Sequence, residues 1–175
     1  MKKLLSQDQI REGCRRLAQQ LRAEYDGRPL TIVAILTGSL VLLADLIRQL
    51  DMPLRVALIG SRHQGDKTSS RRAVVIDQSL MPALEGRDVL VIDDIFDTGH
   101  TLVEVIAQLA AHRPASIRSA VLLRKAERCE VAIQPDHIVF EIPDEFVVGY
   151  GLDYDDRYRN LPYVAALDPD DLASD

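Results

Sequence analysis

Two cysteines, Cys14 and Cys129, are all the thiol chemistry this chain carries, and they form neither a CxxC pair nor a metal-ligand spacing. Cys14 falls on an apolar helical stripe and reads as a small core residue, so no disulfide is expected and a reducing compartment fits. The four histidines do not cluster, so none is assigned as a metal ligand, and no Ser–His or Cys–His arrangement offers a covalent nucleophile. No apolar run approaches the length of a membrane span. The start, Met-Lys-Lys-Leu-Leu-Ser-Gln-Asp-Gln, turns polar too soon for a secretory signal. Positive charge is also short: 21 Lys and Arg stand against 27 Asp and Glu, and the net charge of −6 argues against non-specific binding to nucleic acid. A cytoplasmic protein is expected, with neither membrane nor nucleic acid as a partner.

What is present is the composition of an ordinary globular protein. With 47% hydrophobic and 27% charged residues over a length of 175, one domain around a single core is expected. Ser6 and Gln9 have capping-box spacing, and Ile10, Cys14, Leu17 and Leu21 then share a face, which predicts a helix ending near Asp26-Gly27. Residues 30–36 are a continuous apolar run bounded by Pro29 and Thr37-Gly38, the pattern of a buried strand. Residues 40–50 are helical in pattern and 54–59 read as a second strand. Residues 60–72 are polar and predict a mobile loop, with a short strand leaving it at 73–76. Further strands are expected at 89–92, 119–123, 138–142 and 164–167, a helix at 101–112, and a frayed acidic tail at 168–175. Strands alternating with helices imply an α/β fold, a mostly parallel twisted sheet with helices on both faces. Ligands of such sheets bind beyond the carboxyl ends of the strands, where Thr37-Gly38-Ser39 and the 93–101 turn would lie.

The densest chemistry is in residues 89–101, Val-Leu-Val-Ile-Asp-Asp-Ile-Phe-Asp-Thr-Gly-His-Thr. An apolar strand runs into Asp93 and Asp94, then a turn opened by Asp97 and rich in hydroxyls, then a helix marked by Leu102, Val105, Ile106 and Leu109. Backbone N–H groups at such a turn can hold a phosphate. Carboxylates beside it can hold sugar hydroxyls or a hydrated Mg²⁺. Taken alone, Asp93 and Asp94 read equally well as a solvated strand end, with Asp97 as a helix cap.

The segment Val-Ile-Asp-Asp-Ile-Phe-Asp-Thr-Gly-His-Thr-Leu, 91–102, resembles the signature of type I phosphoribosyltransferases, the loop that binds 5-phosphoribosyl-1-pyrophosphate (PRPP). Leu36-Thr-Gly-Ser39 resembles the family's pyrophosphate loop, and Leu122-Leu-Arg-Lys125 its base-binding lysine strand. Residues 140–164 resemble the C-terminal segment of the hypoxanthine-guanine members, which is what points to 6-oxopurines. The likeness covers roughly residues 30–167. It implies a single domain over 1–175, with a core at about 30–125. A small hood formed by C-terminal and N-terminal segments would span about 126–167 plus the N-terminal helix. It also implies transfer of the phosphoribosyl group of PRPP to N9 of hypoxanthine or guanine with Mg²⁺, giving IMP or GMP and pyrophosphate, and a homodimer or homotetramer.

The resemblance implies residue roles as well. The 97–101 loop, Asp97, Thr98, Gly99, His100 and Thr101, would wrap the 5′-phosphate of PRPP, His100 through its backbone. Asp93 and Asp94 would hold the ribose hydroxyls, directly or through Mg²⁺. Asp97 would face purine N7 as general base, a role that needs its pKa raised in the closed complex, or would only orient the purine. Lys125 would point at purine O6 and reject a 6-amino group; without the resemblance it reads as a snorkelling strand-end lysine. Phe146 would stack on the base and the backbone at Val147 would pair with its edge, although both types are ordinarily core. Asp153 would coordinate a second Mg²⁺ against pyrophosphate and, through the backbone near it, join the purine-binding set at the C2 substituent, and Arg159 would clamp pyrophosphate; as plain residues Asp153 and Arg159 read as a turn carboxylate and a surface ion pair. Thr37 and Gly38 would offer backbone N–H groups to pyrophosphate across a peptide that can be cis in the family.

One departure stands out. The family's lid usually carries Ser-Tyr, whereas 60–65 here reads Gly-Ser-Arg-His-Gln-Gly. Ser61 carries over as a pyrophosphate contact, and Arg62 or His63 would take the place of the tyrosine. The nearest rival is xanthine preference in the same fold. Others are an RNA-binding pyrimidine-operon regulator, which would need a basic face, and an inactive PRPP-sensing scaffold.

Overall fold

The computed structural model describes residues 1–63, 72–77 and 81–168, with 61–63, 72, 73 and 75 as backbone only. In chain order the elements are β1 (Lys2–Leu5), α1 (Gln7–Glu24), β2 (Leu30–Leu36), α2 (Leu40–Ile47), β3 (Leu54–His63), β4 (Arg72–Val75) and β5 (Asp88–Phe96). They continue with α3 (His100–Ala110), β6 (Ser116–Arg124), β7 (His137–Glu141), β8 (Val147–Val148) and β9 (Val164–Ala166). A 3-10 turn, Ala126–Arg128, follows β6.

Six strands form the main sheet in the order β4-β3-β2-β5-β6-β7. The β3-β2, β2-β5, β5-β6 and β6-β7 pairs are parallel, and β4 closes the edge antiparallel to β3. Alternate residues feed two cores, as a period of two requires. Leu30, Ile32, Leu90 and Ile92 meet α1 and α2 through Leu17, Leu21, Leu43 and Leu46. Val33, Ile35, Val89 and Val91 meet α3 through Leu102, Val105 and Leu109. The helices therefore lie on both faces, as the alternation of elements predicts.

Chain progression reverses between β2 and β5: α2 leaves β2 over one face and α3 leaves β5 over the other. That reversal opens a crevice at the carboxyl ends of these two strands. Above it sits the second sheet, β1-β9-β8, antiparallel throughout. Leu5, Ile142, Val147, Tyr150, Leu152 and Val164 seal it against Ile10, Cys14 and Leu42. The hood sheet thus joins N-terminal and C-terminal segments, and α1 packs against it through Ile10 and Cys14 and on the main sheet through Leu17, Ala18 and Leu21.

The helix at the start is capped as its spacing predicts: Ser6 Oγ accepts from Gln9 N–H, and Gln9 Oε1 accepts from Ser6 N–H at 2.8 Å. Three readings of the sequence change. The segment at 60–63 is not loop but the end of β3, paired with 72–75 in a hairpin; polarity alone cannot reveal a partner strand. The expected strand at 89–92 runs on through Phe96, so Asp93 and Asp94 lie inside it. Their carboxylates bond the backbone next to them, Asp93 Oδ1 accepting from Asp94 N–H and Asp94 Oδ1 from Ile95 N–H, each at 3.0 Å. Finally, β1 and β8 have no pattern of their own, being four and two residues long, and exist through pairing with β9. The expected loop at 64–71 and most of the acidic tail, 169–175, lie outside the described residues.

Candidate active site

The crevice brings together four segments that the sequence singles out. β5 supplies the floor. Asp93 and Asp94 are 9% and 8% exposed, and with Asp97, Thr98, Gly99 and Thr101 they line a cleft of about 160 Å³ beside α3. Gly99 precedes α3, so the first turn of that helix opens onto the cleft with its unpaired N–H groups. His100 begins the helix, and its imidazole lies 2.8 Å from Glu130, away from any metal cluster; among the described residues no group of three or more potential ligands forms one.

The turn after β2 forms one wall. Thr37 is exposed, Gly38 and Ser39 are buried, and Ser39 Oγ donates to Ile35 O at 2.5 Å. The cis peptide bond of this turn is not Thr37-Gly38, the one that can be cis in the family, but lies one residue earlier, between Leu36 and Thr37, where β2 ends. Gly38 is a site of close approach. A methyl group there would lie 1.6 Å from Asp94 Oδ2 on one side, and one on Gly151 would lie 2.0 Å from Gly38 O on the other. The Asp94 carboxylate, the backbone of the turn after β2 and the C-terminal segment are therefore stacked in direct contact, which side chains at 38 or 151 would prevent.

The C-terminal segment carries Asp153 and Arg159. They are paired: Arg159 Nη2 lies 2.9 Å from Asp153 Oδ1 and 3.1 Å from Asp156, and Nη1 donates to Gly151 O at 2.8 Å. Asp153 Oδ2 accepts from Asp156 N–H at 2.9 Å. Behind this segment the Tyr150 hydroxyl donates to Asp45 of α2 at 2.7 Å and lies 3.5 Å from Cys14 Sγ. Burial pushes both the Cys14 thiol and the Tyr150 hydroxyl up.

The fourth segment is the end of β6. Lys125 N–H donates to Phe96 O at 3.0 Å, so Lys125 and Asp97 leave neighbouring parallel strands side by side. Lys125 is buried, and its ammonium meets Asp144 at 3.3 Å. Phe146 is 47% exposed, with its ring edge-on to Tyr154 at 5.5 Å. β8 is an edge strand. Because Phe146 O accepts from Leu167 N–H, the alternation of the ladder turns the N–H and C=O of Val147 to the open edge.

Two residues of this region escape sequence reasoning. Arg128 Nε donates to Asp97 Oδ1 at 3.0 Å, and its Nη1 lies 3.9 Å from Asp144. The Asp97 carboxylate, and after it Asp144, push the Arg128 guanidinium further up. Arg128 stands three residues after Lys125, one turn of the 3-10 helix that only the folded chain shows. The side chains of Ser61, Arg62 and His63 lie outside the described residues.

The family model for the phosphoribosyl transferase domain matches residues 2–155. The chain belongs to that family. Among relatives of this phosphoribosyltransferase, the hypoxanthine-guanine phosphoribosyltransferase of Lactococcus lactis subsp. lactis is 42% identical over 97% of this chain and 92% of its own. The bifunctional protein TilS/HprT of Listeria innocua is 40% identical over 97% of this chain, which spans only 26% of that protein's length. A crystal structure of a hypoxanthine phosphoribosyltransferase from Staphylococcus aureus superposes with a TM-score of 0.91 at 38% identity, covering 97% of this chain and 92% of its own. The fold expected from the resemblance, a mostly parallel sheet flanked by helices with a hood, is the one observed.

Proposed function

We propose that this phosphoribosyltransferase moves the 5-phosphoribosyl group of PRPP to N9 of hypoxanthine or guanine, releasing pyrophosphate. The observation that carries the reading is the placement of Asp97 and Lys125 on neighbouring strand ends, with Lys125 tied to Asp144, two residues before an exposed Phe146. A 6-oxopurine offers N7 and O6 side by side, and an acceptor next to a cationic donor is the complementary pair. The open backbone edge at Val147 supplies the remaining polar contact.

The reaction asks for positioning, charge neutralisation and proton removal rather than a nucleophile. Backbone N–H groups of Thr98 to Thr101, with the two threonine hydroxyls, hold the 5′-phosphate. Asp93 and Asp94 hold the ribose hydroxyls. Thr37 and Gly38 receive the pyrophosphate, with Ser61 and Arg159 assigned to the same group. Asp97 accepts the purine proton as N9 attacks C1 of the ribose and the bond to pyrophosphate breaks.

Mg²⁺ fits this donor set. It keeps most of its waters and takes one or two carboxylates together with substrate oxygens, which Asp93 and Asp94 at one strand end can provide. Bound there it would neutralise charge on the leaving pyrophosphate. Asp153 is a ligand only after Arg159 leaves it, so the arginine's turn toward pyrophosphate would free the carboxylate for metal.

The free thiols and the absence, among the described residues, of any helix long and apolar enough to cross a membrane support a cytoplasmic setting. Val56 and Leu58, 38% and 45% exposed on the face of β3 turned away from α3, support a homodimer or homotetramer. Steady-state kinetics of Asp97→Asn test the assignment. We expect kcat with hypoxanthine to fall by about 10² or more, the lower range for a lost general base, with KM for PRPP changed less than threefold. Unchanged kcat would refute it.

A further inference from the structure

Asp97 and Lys125, the side chains assigned to the purine, are both engaged already, and by groups of the chain itself. Lys125 Nζ donates to Asp144 Oδ1 at 3.3 Å, Arg128 Nη1 lies 3.9 Å from Asp144 Oδ2, and Arg128 Nε donates to Asp97 Oδ1 at 3.0 Å. Lys125, Asp144, Arg128 and Asp97 thus form one chain of alternating charge.

The order of that chain matters. A 6-oxopurine protonated on N7 presents an acceptor, O6, beside a donor, N7–H. Asp144 is an acceptor set on Lys125, and Arg128 is a donor set on Asp97. The Arg128–Asp144 pair therefore shows the two purine-reading groups the same donor and acceptor pattern as the purine edge.

We propose that Arg128 and Asp144 are placeholders for the 6-oxopurine edge, holding Asp97 and Lys125 in their reading positions until the base displaces them. This rests on the functional reading above and deepens it. The physical reason for a placeholder is Lys125. Its side chain is only 10% exposed, and an ammonium that deep needs an acceptor at all times. The pairs to be opened are weak, because Asp97, Asp144 and Arg128 are 39%, 41% and 43% exposed and screened by water.

Local structure makes the pair available. The 3-10 turn after β6 fixes Arg128, whose N–H donates to Lys125 O at 3.2 Å, and the turn after Pro143, with Glu145 N–H donating to Pro143 O at 2.8 Å, fixes Asp144. The exchange also adds to selectivity. A 6-aminopurine would open the chain and then face Lys125 with a second donor, so it regains nothing for the pairs it breaks.

The test uses 9-deazahypoxanthine, which keeps O6 and N7–H but has carbon at position 9 and cannot accept the ribosyl group. Its inhibition constant against hypoxanthine is measured at saturating PRPP and Mg²⁺ for the unsubstituted protein, Asp144→Asn, Arg128→Met and the double variant. Each single variant removes a weak exposed competitor, so the constant should fall about three- to fivefold. The double variant should bind the analogue at least as tightly as the better single one, because each substitution frees a different purine-reading group. KM for PRPP should stay constant. Weaker or unchanged binding of the analogue, or a parallel change in KM for PRPP, would overturn the placeholder role. Absence of hypoxanthine turnover by the unsubstituted protein would instead remove the functional reading, and this inference with it.

Discussion

A methyl group on Gly151 would press on the carbonyl oxygen of Gly38 from 2.0 Å, and the backbone there has φ +103°. Either feature alone disfavours a side chain; a left-handed outlier costs about 1–3 kcal/mol before any clash. Gly151→Ala should therefore lower unfolding free energy by at least about 2 kcal/mol in urea titrations. It should raise KM for PRPP more than KM for hypoxanthine, since Gly38 is what it displaces. Residues such as Gly38 and Gly151 are only half legible in a sequence. Thr37-Gly38 announces a turn, but its contact with Asp94 and Gly151 needs three distant segments in register. The carboxylates 93, 94 and 97 were legible as a group because a polar run interrupting an apolar strand is unusual. Arg128 and Asp144 were not, because a lone charge on a surface-like turn has no pattern.

At the scale of elements, the helix α1 and the buried strands β2, β5 and β6 follow from periodicity and length, and their expected bounds differ from the observed ones by a few residues. Ser6 and Gln9 close both halves of the capping box. Ser6→Ala should cost about 1 kcal/mol, within the usual range for a lost N-cap, read as a lower midpoint in urea with an unchanged slope. Turnover should be untouched at temperatures well below the melt. The elements that sequence reasoning lost, β1, β8 and the distal half of β3, are those whose stability comes from a partner strand rather than from their own residues. Phe146 stood out for being aromatic among carboxylates, and its exposure follows from its place just before edge strand β8.

At the scale of the whole molecule, the described interior holds three buried groups, Cys14, Tyr25 and Tyr150, that titrate only at alkaline pH. Burial is the leading cause that raises Cys14, Tyr25 and Tyr150 above their ordinary values of 9.0, 10.0 and 10.0. In this range the folded state holds more protons than the unfolded one, so stability falls as pH rises. The contribution is fully present below about pH 9 and is lost as pH climbs through the unfolded values toward the raised folded ones. Thermal melts from pH 7 to 11 should show a flat region followed by a steep decline. Tyr25 isolates the effect, because its hydroxyl has no hydrogen-bond partner among the described residues. Tyr25→Phe should hold or raise the melting temperature at pH 7 and make the alkaline decline shallower; an unchanged decline would assign it elsewhere.

The whole-molecule architecture also explains why the phosphate turn could be read from its own residues, whereas the acceptor was read only through the resemblance of residues 140–164. A phosphate turn after a buried strand is local. The proposed purine site draws on the ends of β5 and β6, the edge of β8 and the turn before it, and only the folded chain sets these side by side. The most direct measurement of the central claim follows phosphoribosyl transfer spectrophotometrically with PRPP and Mg²⁺ and each of hypoxanthine, guanine, xanthine, adenine and uracil. We expect turnover with hypoxanthine or guanine, and a kcat/KM for adenine lower by at least about 10⁴, the scale on which a site built for a hydrogen bond rejects its mismatch. Equal use of adenine, or no turnover with any purine, would contradict the assignment of Asp97 and Lys125.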